Sequence, residues 1–310
     1  MISLKNVSKN FENNQIIKNI NLTIKKGEVI GFLGPNGAGK TTTVRMIAGV
    51  LPPSKGEILV NEQNLFDNNN TIDEKKKPHI GYLPENNPIF DDLTVEEFLY
   101  YWAEIKNIAK DKQLPQIKKV VKETGLQDVF YRPISELSKG YRQRTGLAQA
   151  ILSDPEILLL DEPTEGLDPN QRRDIHDLIK GIGKERTVII CSHVLSEITK
   201  MCNRILIINH GKIVADSFTK DLADLAGGQN LYEILANGKD IKKDLEKLSG
   251  VNKVESKKDK LATKFIVSAS SKKDLRLPIF ELAKLKKWDL YELVKKQEDL
   301  EDIFAQLTRD

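Results

Sequence analysis

The sequence has few cysteines and no long apolar run. Cys191 and Cys202 form neither a CxxC pair nor part of a His-rich cluster, and a secreted disulfide framework would need more of them. We therefore expect reduced thiols. The longest apolar runs, such as ILLL and ILII, are far shorter than the roughly 18 residues that cross a bilayer. The opening MISLKNVSKNF also lacks the basic and apolar regions of a signal peptide. Any membrane role would have to come through another chain.

A strong excess of one charge is also missing. The 310 residues include 48 basic and 45 acidic residues, for a net charge of +3. This balance does not indicate a basic nucleic-acid-binding surface, so partners must be inferred from individual sites. With 39% hydrophobic residues, the length suits two domains with a well-buried core.

Strand and helix patterns alternate along the first two thirds of the chain. Residues 1–33 read as short strands that end at a glycine-rich turn, with a helix after it. The helical pattern of about residues 86–155 predicts an inserted helical subdomain, in which Thr94 and Glu97 form a capping box. EILLLDEP, TVIICSH and RILIINHGKIV then predict buried strands covered on both faces.

A change in composition at DLAGGQN predicts a domain boundary. We expect a first domain at residues 1–220, a linker at 221–230 and a second domain at 231–310. The second domain reads as strand, helix, hairpin, helix and strand, which is the order of a ferredoxin-like α+β fold. A last helix would carry an apolar stripe of Leu300, Ile303, Phe304 and Leu307.

The strongest chemical motif is GPNGAGKT, which fits the phosphate-loop pattern and lies between a predicted strand and a predicted helix. Gly34, Gly37 and Gly39 allow the backbone to wrap phosphate oxygens at close range. Lys40 would add a point charge near the outer phosphates, and Thr41 could offer its hydroxyl to Mg²⁺.

Three further side chains follow buried strands. Asp161 and Glu162 end ILLLDEP, where two adjacent carboxylates would repel unless a cation such as Mg²⁺ lies near Asp161. Glu162 could then orient or deprotonate the water that attacks a γ-phosphate. His193 ends TVIICSH, and ligands of open α/β sheets bind outside such strand ends. Taken alone, an Asp-Glu pair is more often a surface turn and a lone His a structural residue.

A second phosphate-binding element is predicted at ELSKGYRQR. Ser138 and Gly140 precede a helical run down to Leu152, so free backbone N–H groups would point outward from a positive helix end. One chain would thus carry two phosphate sites.

In this order the motifs resemble those of the ATP-binding subunits of ABC transporters. The resemblance covers about residues 1–220 and implies an α/β fold. Its parts would be a P-loop NTPase cassette with a RecA-like core, an antiparallel β subdomain and an inserted helical subdomain. LSKGY looks like the ABC signature, although Lys139 and Tyr141 replace the commoner Gly and Gln. YLPE looks like the exporter branch whose membrane subunits are separate chains, including drug, sodium and gliding-motility systems. The stretch LSKGYRQRTGLAQAILSDPEILLLDEPTEGLDPNQ and the tail DLEDIF look closest to the gliding-motility ATPase group.

The resemblance implies MgATP as the ligand and gives roles to named residues. The nucleotide-binding residues would be Phe11, Gly34, Pro35, Asn36, Gly37, Ala38, Gly39, Lys40, Thr41, Thr42, Ser138, Gly140 and Asp168. The metal-binding residues would be Thr41, Glu85 and Asp161, and the catalytic residues Lys40, Glu162 and His193.

Glu85 departs from the family pattern, which usually has a glutamine there that touches Mg²⁺. A carboxylate still offers an oxygen to the metal, but it adds negative charge beside an anionic nucleotide.

The function implied is ATP hydrolysis that energises export through a separate transmembrane permease. Two copies would sandwich two ATP molecules, and the dimer would lie on the cytoplasmic face of the membrane through the permease, without a nucleic-acid partner. A soluble ABC-type ATPase acting on ribosomes or DNA is the alternative, and a nucleotide switch without turnover is a third. The C-terminal domain would stabilise the dimer, bind a regulator or serve only as a packing appendage.

Overall fold

The computed structural model describes residues 1–67, 71–72, 78–222, 229–258, 262–270 and 274–297, with single residues Glu301, Phe304, Ala305 and Thr308. The chain divides into two compact units, Met1–Thr219 and Lys220–Asp310.

The first unit contains ten strands and six α-helices among its described residues. In chain order its strands are β1 (Ile2–Phe11), β2 (Asn14–Ile24), β3 (Val29–Leu33), β4 (Lys55–Val60), β5 (Gln63–Asn64), β6 (Ile80–Leu83), β7 (Ile157–Asp161), β8 (Thr187–Ser192), β9 (Arg204–Asn209) and β10 (Lys212–Phe218). Its helices are α1 (Lys40–Ile47), α2 (Val95–Ile105), α3 (Lys110–Thr124), α4 (Lys139–Ile151), α5 (Pro169–Gly183) and α6 (Leu195–Met201).

A six-stranded sheet with the order β10-β9-β3-β8-β7-β6 forms the centre of this unit. The five strands from β9 to β6 are parallel, and their side chains are almost wholly buried, as the unbroken apolar runs predict. Leu33 pairs with Ser192, Asp161 with Cys191 and Leu83 with Leu160. The carboxyl ends of four neighbouring strands are therefore level, and the loops after them meet at one edge of the sheet.

The run RILIINHGKIV is a hairpin, not the single buried strand that we expected. His210 and Gly211 both have positive φ, of 46° and 77°, and β10 pairs with β9 in antiparallel fashion. Two successive residues with positive φ suit a two-residue hairpin turn of type I′. The apolar composition of the run does not indicate this turn.

A four-stranded antiparallel sheet, β2-β1-β4-β5, shares a hydrophobic core with the central sheet. Ile2, Ile17 and Ile58 from the smaller sheet lie in one buried cluster with Phe32 and Leu159. This packing holds the antiparallel subdomain against the phosphate-loop strand.

Helices α2, α3 and α4 form the predicted helical insertion. The capping box is confirmed: Glu97 N donates to Thr94 Oγ1 at 3.2 Å, and Thr94 N donates to Glu97 Oε2 at 2.8 Å. The Glu97 carboxylate accepts from the Thr94 N–H and from the Thr94 hydroxyl, and these two hydrogen bonds lower the pKa of Glu97. Helix α4 begins directly after Ser138 and ends at Ile151, close to the predicted end at Leu152.

Among the described residues, none of the helices combines the length and the apolar character needed to cross a membrane.

The second unit has the predicted ferredoxin-like order. Its elements are β11 (Gln229–Asn237), α7 (Ile241–Glu246), β12 (Val251–Lys258), β13 (Thr263–Ser270), α8 (Arg276–Leu285) and β14 (Asp289–Gln297). They build a sheet of order β12-β13-β11-β14, in which every neighbouring pair is antiparallel.

Strand β11 begins at Gln229, inside the predicted linker, because alternate residues from Asn230 onward are buried in the sheet core. The predicted last helix falls mostly outside the described residues, which include Phe304 of its stripe but not Leu300, Ile303 or Leu307.

Tyr232 gives a stability test of this unit. The Leu275 backbone N–H, at the start of α8, donates to the fully buried Tyr232 hydroxyl at 2.9 Å. We expect Tyr232→Phe to leave this donor unpaired and to lower the free energy of unfolding by about 1–3 kcal/mol. Urea unfolding followed by Trp288 fluorescence in a Trp102→Phe background measures this loss.

Tyr291→Phe is the matched control, because the Tyr291 side chain is exposed. Equal midpoints for Tyr232→Phe and the parent would contradict the role of this hydrogen bond.

Candidate active site

The segment between β3 and α1 forms an open phosphate-binding loop. Gly37 and Gly39 have φ of 79° and 108°, which only glycine adopts readily, and a Cβ on Gly34 would lie 2.4 Å from the Ile208 carbonyl oxygen. No side chain caps the start of α1. Its first N–H groups are therefore available to an anion.

Lys40 lies across the mouth of this loop. Its ammonium donates to the Gly34 carbonyl at 2.8 Å and the Pro35 carbonyl at 3.3 Å, and it lies 3.8 Å from Glu162 Oε1. Both charged side chains are almost wholly buried. A cation held on backbone carbonyls in this way is placed to meet phosphate oxygens.

The β9–β10 turn holds the loop from the other side. Gly211 N donates to the Ala38 carbonyl at 3.0 Å, and the Gly211 carbonyl accepts from Lys18 N at 2.9 Å. A Cβ on Gly211 would lie only 2.0 Å from the Ile16 carbonyl oxygen, so glycine is required there. The turn thereby fixes β2 beside the loop and places Ile16 in the lining of the cleft.

Asp161 is the most constrained charged group of the site. Its side chain is buried, and neither carboxylate oxygen has a hydrogen-bond partner among the described residues. Burial raises the pKa of Asp161, and the neighbouring Glu162 and Glu85 charges add to the rise. Thr41 and Lys40 oppose the rise only in part. Such a carboxylate is stabilised by a cation.

The donors around Asp161 fit Mg²⁺. Within the described part of the chain, no three His, Cys, Asp or Glu side chains are arranged to hold a metal by themselves. Mg²⁺ is usually held by one or two carboxylates together with substrate phosphates. Asp161 and Thr41 supply such oxygens beside the phosphate loop, and Glu85 lies in the lining of the same cleft.

Glu162 and His193 join the ends of β7 and β8. Glu162 Oε1 lies 3.0 Å from His193 Nδ1, and Glu162 N donates to the Cys191 carbonyl at 3.0 Å. Glu162 has a φ of 47°, an uncommon conformation that turns its side chain off the strand. The pair thus presents a carboxylate and an imidazole side by side, which suits the binding and deprotonation of a water.

A buried network around Glu197 was missed by the sequence analysis. Thr164 Oγ1 donates to Glu197 Oε2, and Arg172 Nη1 donates to Glu197 Oε1 at 3.1 Å. His176 Nε2 lies 3.8 Å from the same carboxylate. Burial alone would raise the pKa of Glu197, but His176, Thr164 and Arg172 outweigh it and lower the pKa to about 2. The network ties the loop after β7 to α5 and to the helix that follows His193.

Most of the predicted residues surround one cleft of about 390 Å³. The lining residues are Ile16, Asn36, Gly37, Gly39, Lys40, Thr41, Thr42, Glu85, Glu162, Glu165 and His193. Asp161 lies buried next to this lining, and Gly34, Pro35 and Ala38 contribute backbone carbonyls to the hydrogen bonds described above. Ile16 and Glu165 had no sequence signal, since they stand at ordinary strand and loop positions.

Apart from Gly34, Pro35 and Ala38, four predicted nucleotide-binding residues are not in this lining: Phe11, Ser138, Gly140 and Asp168. Phe11 ends β1, is half exposed and has the Lys9 ammonium 5.2 Å from its ring centroid. Its contact with nucleotide stays a prediction.

The other three residues lie at the first turns of two helices. Ser138 caps α4 by accepting from Tyr141 N at 3.4 Å, and Asp168 caps α5 by accepting from two backbone N–H groups at 2.9 Å. A Cβ on Gly140 would lie 3.2 Å from the Gln171 side chain, so the two first turns pack together. Their contact with nucleotide stays a prediction.

Comparisons with known proteins agree with this geometry. Residues 17–165 match the family model described as ABC transporter. The uncharacterized ABC transporter ATP-binding protein YhcH of Bacillus subtilis is 43% identical over 224 residues, covering 71% of each chain. The linearmycin resistance ATP-binding protein LnrL of Bacillus subtilis is 30% identical, covering 99% of this chain and 98% of its own.

The chain belongs to the ABC transporter ATP-binding family. It is therefore an ABC-type ATPase that binds nucleotide. Among solved structures, a dimeric post-hydrolysis state of the ATP-binding cassette MJ0796, bound to ADP and Pi, matches with a TM-score of 0.62 and 25% identity. The match covers 71% of this chain and 99% of that one. The predicted family and fold class are confirmed, and the narrower likeness to the gliding-motility group stays a prediction.

Asp161→Asn should stabilise this ABC ATPase in the absence of ligands. A carboxyl with a raised pKa in the folded state destabilises the protein as the pH rises through that pKa. We expect the variant to unfold with a free energy about 1–3 kcal/mol higher at pH 8 in EDTA, a gain that shrinks as the pH falls toward the ordinary aspartate pKa of 3.8. Urea titrations at several pH values measure it.

Asp92→Asn, at an exposed position, is the control for the loss of one charge. A destabilised Asp161→Asn protein in EDTA at pH 8 would contradict the unpaired state of this carboxylate.

Glu197→Gln should destabilise the ABC ATPase near neutral pH. The pKa of Glu197 is lowered from 4.5 to about 2 in the folded protein, so its contribution is complete above the unfolded value. We expect a loss of about 2–4 kcal/mol at pH 7 that narrows as the pH falls below 4.5 and disappears as it falls through about 2. Unfolding of the exposed control Glu104→Gln should match the parent. A difference that is constant from pH 7 to pH 3 would refute the charge effect.

Proposed function

We propose that this ATPase is the energising subunit of an ABC transporter and drives export through a separate transmembrane permease. Two copies close around two MgATP molecules, hydrolyse them and reopen. The subunit then lies on the cytoplasmic face of the membrane through its permease. Family membership and the complete cleft support ATP hydrolysis, and the placement of the signature segment supports the dimer.

One observation carries the dimer proposal. The phosphate loop, Glu162 and His193 share one cleft, whereas Ser138 and Gly140 are not in its lining. A second phosphate-binding helix start would therefore serve a nucleotide held by another copy. In a two-fold dimer each phosphate loop faces the signature of the partner, an isologous contact. ATP affinity and dimerisation are then thermodynamically linked.

The cleft residues divide the work of hydrolysis. The phosphate loop and Lys40 bind and orient the phosphates, and Mg²⁺ held with Asp161 and Thr41 would neutralise their charge. Glu162 accepts a proton from the attacking water. The Nδ1 atom of His193 lies 3.0 Å from Glu162 Oε1. In this proposal His193 orients the Glu162 carboxylate and holds the γ-phosphate. Closure by a second chain excludes bulk water from the reaction.

The permease is inferred from the kind of relatives this chain has. The name of the relative LnrL refers to linearmycin resistance, and 99% of the present chain aligns with it. No observation favours the alternative of a ribosome- or DNA-bound ATPase, and the net charge of +3 does not supply a basic surface for nucleic acid. The transported substrate is chosen by the permease.

The C-terminal unit, in this proposal, stabilises the homodimer. Its βαββαβ sheet has a complete core of its own, built around Tyr232, Ile234, Phe265 and Val267. A regulator-binding role and a simple packing role are the alternatives.

Ser138→Arg tests the dimer. A bulky cation at the start of α4 should block the partner's nucleotide but leave the chain's own phosphate loop intact. We expect nucleotide affinity of the isolated subunit within about twofold of wild type, loss of ATP-driven dimerisation and at least about 100-fold lower turnover. Fluorescent nucleotide titration, analytical ultracentrifugation with ATP and phosphate release measure the three quantities.

Ser153→Arg is the matched control, since Ser153 precedes β7 at the opposite edge of the central sheet. It should dimerise and hydrolyse ATP like wild type. If Ser138→Arg abolished nucleotide binding by the monomer, or dimerised normally, the proposed arrangement would be wrong.

A further inference from the structure

The cleft carries more negative charge than its ligand would favour. Among its lining residues Lys40 is a cation, whereas Glu85, Glu162 and Glu165 are carboxylates, and the buried Asp161 adds a fourth. A nucleoside triphosphate is itself strongly anionic. These carboxylates repel a bare triphosphate and oppose the attraction that the phosphate-loop N–H groups and Lys40 exert on it.

The charge of Lys40 is already shared. Its ammonium donates to two loop carbonyls and lies 3.8 Å from Glu162 Oε1. Lys40 and Glu162 thus form one internally compensated pair, with side-chain exposures of 7% and 9%. What remains uncompensated at the surface of the cleft is the charge of Glu85 and Glu165.

Glu85 and Glu165 reach the cleft from two different strand ends. Glu85 follows β6, and Glu165 lies in the loop after β7, where its N–H donates to the Glu162 carbonyl at 3.2 Å. Both are exposed, and neither has an ion-pair partner among the described residues. Their carboxylates are therefore available to interact with a ligand that binds in the cleft.

We propose that Glu85 and Glu165 determine the form of the substrate, so that this ATPase binds the metal-loaded triphosphate and rejects the metal-free one at the binding step. The inference rests on the MgATP binding proposed above and adds a selection that precedes hydrolysis. A divalent cation on the triphosphate lowers the negative charge of the ligand and attracts the two carboxylates. Both effects offset the repulsion between the carboxylates and the phosphates.

Thermodynamic linkage makes the proposal measurable from both sides. The factor by which the metal strengthens nucleotide binding equals the factor by which nucleotide strengthens metal binding. We call this factor the metal preference. Because Glu85 and Glu165 are exposed, solvent and salt screen them, so the effect of each is moderate and falls at high ionic strength.

The experiment measures equilibrium binding of the slowly hydrolysed analogue AMP-PNP to the full chain, once in EDTA and once in excess Mg²⁺. We expect a metal preference above about 100-fold for wild type. Glu85→Gln should lower it about tenfold, Glu165→Gln about threefold and the double variant about thirtyfold, mainly through tighter binding in EDTA. Raising NaCl from 50 mM to 500 mM should shrink these differences.

Two control variants separate charge from structure. Glu185→Gln removes the same charge at the amino end of β8, at the opposite edge of the sheet, and should leave the metal preference unchanged. Glu85→Asp keeps the charge and should keep most of the preference. A direct Mn²⁺ titration of the wild-type and double-variant proteins with AMP-PNP should reproduce the same ratio.

The outcomes are distinguishable. A double variant whose metal preference stays within twofold of wild type, while Mg²⁺-AMP-PNP binds normally, overturns the inference and leaves the proposed function standing. A wild-type chain that fails to bind AMP-PNP even with Mg²⁺ contradicts the proposed function itself.

Discussion

The burial of Asp161 without a hydrogen-bond partner is the constraint on which the site depends. A carboxylate in this position is unfavourable without a bound cation, because it lies at the end of a fully buried strand and the Lys40 charge opposes the rise of its pKa only in part. The stabilising charge has to arrive with the ligand. Binding of the ligand in the cleft should therefore raise the stability of the fold through this one side chain. The surrounding loops can bind a cation and phosphates together.

The loops at the strand ends are held by contacts that lie outside the cleft. Thr164, Arg172 and His176 converge on Glu197, which fixes the loop after β7 against the helix after His193. Reactive groups therefore rest on a rigid scaffold, although each sits on a loop. A short loop such as this one is rigid because its neighbours restrain it, and its own sequence contributes little.

Short sequence patterns identified the parts of the site whose residues are close together in the sequence. The phosphate loop is recognisable because glycine spacing, a preceding strand and a following lysine are needed within a few residues of one another. Asp161 and His193 could be placed at one sheet edge since parallel strands end level. Glu197 could not be found, because its role arises from contacts between segments far apart in sequence. The hairpin at His210 was also missed, because the apolar residues on both sides of the turn look like one continuous strand and do not indicate the positive φ of His210 and Gly211.

The close packing of the signature turn against its neighbour has a consequence for association. A Cβ on Gly166 would lie 2.0 Å from the Lys139 ammonium, and one on Gly140 would lie 3.2 Å from Gln171. The first turns of α4 and α5 are thus a single preassembled surface. In the dimer we propose, joining two such surfaces loses little conformational entropy, so more of the interaction energy of each shared ATP remains to hold the two chains together.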